Sequence, residues 1–217
     1  AFALAADTAM LVLGGSLKRR ESLSGRLADV FAALYLASTV LKHFENQGRQ
    51  ASDLPLVEWA CRKLLYQAQE QLHGFLRNFP NRPVAAVLRV MIFPSGRTYF
   101  APADKLGAEI VDLVTHSTPS RERLAGDAYK AQHAGNHLGE LQMALEMAEH
   151  AAPLEKKIRE ALKAGLIEGA DLPAQIEAAL KEGLIIEDEA EQLRHYDKAV
   201  MALVAVDDFA PEDFGRG

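Results

Sequence analysis

Apolar residues recur every three or four positions along most of the chain, which is the spacing of amphipathic α-helices. The longest such stretch runs from about Glu21 to Glu45. Its apolar stripe consists of Leu23, Leu27, Val30, Leu34 and Leu41. Because Tyr35, Leu36 and Val40 widen the stripe, we expect this helix to be buried on more than one side.

Proline and glycine divide the rest of the chain into further helices. Asp53 can accept first-turn N–H groups, and Pro55 needs no donor there, so a helix is predicted to begin at this point and run to about Asn78. The segment 83–93 contains Val and Ile, which makes a strand the alternative, but Pro83 suits a first helical turn and no pairing strand is visible. The other predicted helices are 2–13, 104–115, a short one capped at Ser117 or Ser120, 138–150 and 153–164.

A weak repeat marks the last third of the chain: ALKAGLIEG at 161–169 and ALKEGLIIE at 179–187. In each copy a helix ending in lysine meets Gly165 or Gly183, and an apolar pair follows. This pattern predicts a glycine cap with a hydrophobic contact behind it. Two copies are fewer than a solenoid needs.

Together these elements predict an all-α protein, a helical bundle with additional short C-terminal helices. We expect residues 1–125 to be a bundle portion that continues from upstream residues, since AFALAAD begins as if within a helix. Residues 126–217 form a smaller helical C-terminal region, with a loop at 126–137 and an extended acidic tail at the end.

Composition removes several function classes. A net charge of −6 over 217 residues argues against nucleic acid as a partner, because no basic excess exists to replace phosphate counterions. The single Cys61 excludes an internal disulfide and a multi-cysteine zinc site, and it fits a reducing compartment. No uncharged apolar run reaches about 18 residues, so we expect no membrane-spanning helix.

Short motifs that suggest chemistry are weak here. Gly14-Gly15-Ser16 before Lys18 and Arg19 suggests a phosphate site, but it matches no known phosphate-loop spacing and follows no strand. A helix break with solvated basic residues is the favoured interpretation. Cys61 lies on an apolar helix face, where an inert buried thiol is expected.

His133 and His137 have the spacing of metal ligands on a helix, with Glu140 nearby. Gly135 and Asn136 between them disfavour that helix, so a loop without metal is the preferred interpretation. Carboxylates such as Glu58, Asp104, Asp112 and Asp127 are abundant, but the sequence places none of them in a cleft.

Three motifs carry a resemblance: NFPNR (78–82), IFPSGR (92–97) and APADKL (101–106). With RLADVFAALYLASTVL and the KEGLI and VDDF segments near the end, they resemble the C-terminal region of the long bacterial acyl-CoA dehydrogenases of fatty-acid β-oxidation. The resemblance follows nearly the whole chain in order and is loosest around 126–140 and 161–175.

The resemblance implies a parent enzyme that oxidises fatty acyl-CoA to trans-2-enoyl-CoA with FAD. A glutamate base would remove the α-proton while the flavin takes the β-hydride, and both FAD and acyl-CoA would bind mainly in upstream domains. No position here matches the family's catalytic-base motif. The resemblance therefore implies no catalytic, cofactor-binding or metal residue in this chain, which alone would be inactive.

The expected role is structural. Lys18, Arg19 and Arg20 lie beside apolar helices, where they suit either an anionic lipid surface or acidic residues of upstream domains. Arg97 and Tyr99 belong to the stretch RVMIFPSGRTYFAPADKL (89–106), which we expect to be a turn that contacts another part of the same enzyme.

The partners expected on this resemblance are the upstream domains, fatty acyl-CoA in the parent, a second copy in a homo-oligomer, and a membrane surface. The very-long-chain mitochondrial relatives use their extra C-terminal domain for membrane attachment and dimer architecture. We expect a cytoplasmic protein, with peripheral contact to the inner membrane. The alternative function is a stand-alone, non-catalytic helical adaptor.

Overall fold

The computed structural model of the chain describes residues 1–129 and 136–205. All regular structure in these two ranges is helical, which confirms the predicted all-α fold. Short 3₁₀ helices at Gly14–Arg19 and Ala51–Asp53 precede the second and third α-helices. The α-helices are α1 (Phe2–Leu13), α2 (Glu21–Asn46), α3 (Leu54–Asn78), α4 (Arg82–Ile92), α5 (Asp104–Thr115), α6 (Pro119–Ala125), α7 (His137–Lys163), α8 (Leu172–Lys181) and α9 (Glu187–Val204).

The chain divides into two compact units, Ala1–Asp112 and Leu113–Gly217. Each unit holds a hydrophobic cluster of its own. The expected division into 1–125 and 126–217 stays a prediction. The expected loop at 126–137 lies partly outside the described residues, as does the acidic tail from residue 206 onward.

The core of the first unit is built mainly between α2 and α3, which the short connection at 47–53 turns back on each other. Two alanines one turn apart on α1 let that helix approach closely. Phe75 and Phe79 lie 5.3 Å apart between ring centroids at the centre of this core. Its completely buried members are Ala5, Ala9, Phe75, Leu76 and Phe79.

The prediction that α2 is buried on more than one side is wrong for the described structure. After Val30 the buried seam continues through Ala33 and Ala37, while Leu34 and Leu41 face outward. Ala33 and Leu34 point about 100° apart around the helix axis, and in this structure the contact with α3 falls on the alanine side. Small residues on the seam allow α3 to pack closely and leave the large side chains exposed.

The prediction of a helix at 83–93 is confirmed, whereas the predicted N-terminal caps of α3 and α6 are wrong. The segment around 83–93 is helix α4 rather than a strand, and the Asn81 carboxamide accepts the Val84 N–H at 3.2 Å. Asp53 makes no capping hydrogen bond to α3, because its backbone is already helical after the preceding 3₁₀ turn. For α6 the cap is Thr118, whose hydroxyl accepts the Arg121 N–H at 3.1 Å, and neither Ser117 nor Ser120.

The second unit packs α7 against α9, with α8 completing its cluster. One continuous helix α7 replaces the two helices expected at 138–150 and 153–164, and Pro153 lies inside it. Proline removes one helical hydrogen bond. Ala151 and Ile158, on either side of this proline, are both buried in the cluster of the second unit.

Both predicted glycine caps are confirmed. Gly165 and Gly183 have φ near 67°, and each follows a helix that ends in lysine. The N–H of Leu166 bonds to the Ala161 carbonyl, and that of Leu184 bonds to the Ala179 carbonyl, which is the Schellman arrangement. The next residues along the chain, Ile167 and Ile185, are buried in the cluster, as the repeated apolar pair predicted.

Candidate functional site

The turn between α4 and α5 is held to α3 by a buried amide. Gln69 is only 5% exposed, and its side-chain N–H donates to the Tyr99 carbonyl at 2.9 Å. The Tyr99 N–H donates in turn to the side-chain amide oxygen of Gln69, Oε1, also at 2.9 Å. The Gln69 side chain thus bonds to both the N–H and the carbonyl of Tyr99, as a neighbouring strand would do in a sheet. Residues 69 and 99 are too far apart in sequence for any local pattern to pair them.

Arg97, predicted to contact another part of the enzyme, has a partner within its own chain. Its guanidinium lies 3.1 Å from both carboxylate oxygens of Glu70. Both side chains are largely solvated, so the pair contributes little, about 0.2–1 kcal/mol. The Tyr99 ring is half exposed, and the Phe100 ring beyond it is more exposed still. These rings leave the turn with apolar surface facing outward.

A cavity of about 370 Å³ lies beneath this turn. Its walls come from α3, the 92–99 segment, Leu34 of α2 and the first two residues of the chain. Apart from Gln69 and the small hydroxyls of Ser95 and Thr98, the lining side chains are apolar or aromatic, and none is cationic. The cavity suits an apolar group rather than a charged one.

Next to this cavity, a row of aromatic rings joins the start of the chain to α2. The Phe2 and Phe31 ring centroids are 5.9 Å apart, and those of Phe31 and Tyr35 are 6.4 Å apart in a stacked pair. Such ring pairs are favourable at these separations. Ala1 therefore begins directly beside the exposed side of α2.

We call the exposed side chains of Phe31, Leu34, Tyr35 and Leu41 the α2 apolar face. The twelve residues from Val30 to Leu41 carry no charge, over a helix length of about 18 Å. Three hydroxyls lie among them: Ser38 donates to the Tyr35 carbonyl at 2.7 Å, Thr39 donates to the Leu36 carbonyl at 2.8 Å, and the third is the phenol of Tyr35. The Ser38 and Thr39 hydroxyls therefore need no water if this face becomes covered, whereas the Tyr35 phenol would need a hydrogen-bond partner in the covering surface.

Helix α2 also combines high hydropathy with little burial. An 18-residue window has a mean hydropathy of 1.3, and only 22% of that window is buried. By length and composition the helix could cross a membrane. No such helix was predicted from the sequence, because that prediction considered only apolar runs without any charge. Buried core helices of water-soluble proteins and signal sequences share this length and composition, so these properties do not identify a membrane span; the low burial shows that most of the window is exposed in the described structure.

The predicted basic cluster is exposed. Lys18 and Arg19 lie in the 3₁₀ helix, and Arg20 precedes α2. Arg19, Arg20 and Arg26 line an open concave surface. Within the part of the chain that the structure describes, Lys18, Arg19 and Arg20 form no ion pair. Their charge remains available for an anionic partner.

Other candidate chemistry is not assembled. His133 lies outside the described residues, and the His137 imidazole lies 3.4 Å from the Glu140 carboxylate. Among residues 1–129 and 136–205, no group of three or more ligating side chains could hold a metal ion. Cys61 is half-buried, and desolvation raises the pKa of its thiol. A raised pKa lowers the thiolate fraction, which agrees with an inert cysteine.

A family model described as "Acyl-CoA dehydrogenase, C-terminal, bacterial type" matches residues 1–209. The chain belongs to this family. The match includes both units, and it confirms the resemblance carried by NFPNR, IFPSGR and APADKL. No solved structure matches the chain.

In this acyl-CoA dehydrogenase C-terminal domain, the described cavities do not fit FAD. The cavity under the 92–99 segment has no cationic side chain for a pyrophosphate, and its 370 Å³ is near the lower end of ligand-pocket sizes, about 300–1,000 Å³. The basic concave surface at Arg19, Arg20 and Arg26 has no aromatic wall for an isoalloxazine ring.

Proposed function

We propose that this chain is the C-terminal part of an FAD-dependent enzyme that oxidises fatty acyl-CoA to trans-2-enoyl-CoA in β-oxidation. The family match over residues 1–209 carries the proposal. FAD would supply the hydride acceptor and would bind, with the substrate and the base, in the part of the enzyme upstream of Ala1.

In this proposal the chain has a structural role. It supports the enzyme by packing on the upstream part, and it extends contacts to a second copy. The exposed apolar side of α2 supports such a role, because large apolar patches on soluble proteins mark interaction sites.

The test is purification of the full-length protein from its source. We expect a mass larger than these 217 residues, a yellow flavin absorbance, and conversion of fatty acyl-CoA to the enoyl product with an artificial electron acceptor. A native protein of this length without flavin would contradict the proposal and favour the adaptor function.

We also propose that the enzyme is cytoplasmic and touches the inner membrane peripherally through Lys18, Arg19 and Arg20. The exposure of these cations supports contact with anionic lipid, and pairing with acidic residues of the upstream part would use the same charges. Co-sedimentation of the full-length enzyme with anionic vesicles separates the two. Pelleting at low salt and release at high salt are expected, and no pelleting at low salt would contradict membrane contact.

A further inference from the structure

The α2 apolar face has the properties of a covered surface, although the described residues leave much of it exposed. Four large side chains are exposed along about three turns of helix without an intervening charge. The hydroxyls of Ser38 and Thr39 already donate to helix carbonyls, so covering this face leaves neither unsatisfied, and the covering surface has to offer a hydrogen-bond partner to the Tyr35 phenol. Exposed apolar surface of this kind is rare on a protein that works alone.

The position of Ala1 indicates what covers this face. Ala1 and Phe2 line the cavity together with Leu34, and the Phe2 ring packs at 5.9 Å from Phe31. A residue bonded to Ala1 has its Cα about 3.8 Å from that of Ala1. Any polypeptide that precedes Ala1 therefore arrives at the edge of the α2 apolar face and at the mouth of the cavity.

Covalent attachment at Ala1 favours an upstream segment over a second copy as the partner that covers the α2 apolar face. A segment joined to Ala1 experiences an effective concentration in the millimolar range, which exceeds that of a second copy in a dilute enzyme solution. The apolar lining of the cavity sets the chemistry of the occupant, since an apolar side chain fills such a space better than a charged one.

We infer that apolar residues of the polypeptide immediately upstream of Ala1 pack over the α2 apolar face and insert into the 370 Å³ cavity beside it. This inference rests on the proposed function, because it requires the catalytic part of the enzyme to precede Ala1. It goes further by assigning that part a particular docking surface: Phe31, Leu34, Tyr35 and Leu41.

Cysteine accessibility in the full-length enzyme tests the inference. Tyr35→Cys is compared with Met201→Cys, because the two native side chains are similarly exposed in the described structure, 60% and 58%. Alkylation at each introduced cysteine is followed by peptide mass spectrometry, with the urea-unfolded enzyme as reference. We expect Cys at 35 to react at least about tenfold more slowly than Cys at 201, since a covered site reacts only through local opening.

Equal rates at the two positions would overturn the inference. Should Tyr35→Cys fail to bind flavin, Phe31→Cys, at 58% exposure, replaces it in the same comparison. Protection that grows with enzyme concentration would assign the surface to a second copy, and protection that requires anionic vesicles would assign it to lipid. Protection that disappears when residues 206–217 are deleted would assign it to the tail. Each of these three results also overturns the inference.

The same samples separate this inference from the proposed function. Flavin absorbance and acyl-CoA oxidation report whether the parent is the proposed enzyme, whatever the labelling shows. An active flavoenzyme with a fully reactive Cys at 35 would retain the function and reject the docking surface.

Discussion

The two units of this domain bury similar clusters but present different exteriors. In the second unit, seven of the 18 residues of α9 are charged, beginning with Glu187 and ending with Lys198. In the first unit, α2 has five charged residues among 26, and none between Val30 and Leu41. Residues 113–217 contain 11 basic and 20 acidic side chains, whereas residues 1–112 contain 13 basic and 10 acidic ones.

This difference indicates different neighbours. The charged exterior of α9 is typical of a face that stays in water, and its ion pairs, such as Arg194 with Glu177 and Glu187, lie at the surface. The uncharged side of α2 is typical of a face that another surface covers. The first unit is therefore the one that we expect to meet the rest of the enzyme.

The largest expected effects come from the two cores. Phe75→Ala in the first unit should cost about 3–5 kcal/mol, and Leu193→Ala in the second about 2–5 kcal/mol, because both side chains are completely buried. Hydrogen exchange should show loosening mainly in the unit that carries the substitution. Equal loosening of both units by either variant would contradict two separate cores.

Removing the amide that holds the 92–99 segment should have the next largest effect. Gln69→Leu keeps the side-chain size but leaves the Tyr99 N–H and carbonyl without their partner, at a cost of about 1–3 kcal/mol. Arg97→Ala, which removes only a solvated ion pair, is the control and should cost less than about 1 kcal/mol.

Denaturant unfolding of the full-length enzyme measures both variants. Because Arg97 belongs to a turn and not to a catalytic site, we expect Arg97→Ala to affect stability or assembly rather than chemistry, and flavin content and turnover of the same samples test this. A larger loss for Arg97→Ala than for Gln69→Leu would show that Arg97 has a partner outside this chain.

The glycine caps of the second unit can be compared with a helical glycine of the first. Gly165→Ala should destabilise by about 1 kcal/mol, because φ near 67° is unfavourable for a residue with a Cβ. Gly25→Ala lies within α2 with open space around the new methyl group and should stabilise by up to about 1 kcal/mol. Unfolding temperatures that shift in the same direction for Gly165→Ala and Gly25→Ala would contradict the backbone conformations assigned to these two glycines.

The smallest effect concerns the half-buried thiol of the first unit. Burial raises the pKa of Cys61, so its alkylation at a given pH should be slower than that of free cysteine and should speed up as the pH rises. Peptide mass spectrometry after timed labelling measures the rate. A rate above that of free cysteine at neutral pH would contradict a raised pKa.

Local signals were sufficient for most helices and for the glycine caps. Pro83 at a first turn and Gly165 after a lysine act through their own backbone geometry, so neighbouring residues suffice to interpret them. The cap of α6 shows the limit of such signals, because Ser117, Thr118 and Ser120 all qualify by residue type and only backbone conformation selects Thr118.

Features that depend on tertiary packing were not predictable. Whether Leu34 or Ala33 joins the core of α2 is decided by how closely α3 approaches, which the sequence of α2 alone does not contain. The continuity of α7 through Pro153 depends on its partner helices. The pairing of Gln69 with Tyr99 joins residues that no short pattern connects, and this contact defines the turn that the family motif IFPSGR had marked.

The central claim, that the α2 apolar face is covered in the whole enzyme, is tested most directly by placing a charge there. Tyr35→Glu and Met201→Glu change residues of similar exposure, and thermal unfolding of each full-length flavoenzyme is compared with the unsubstituted enzyme. The account predicts a markedly lower unfolding temperature for Tyr35→Glu alone, because an unpaired charge is costly to bury. Equal, small shifts for both variants would contradict it.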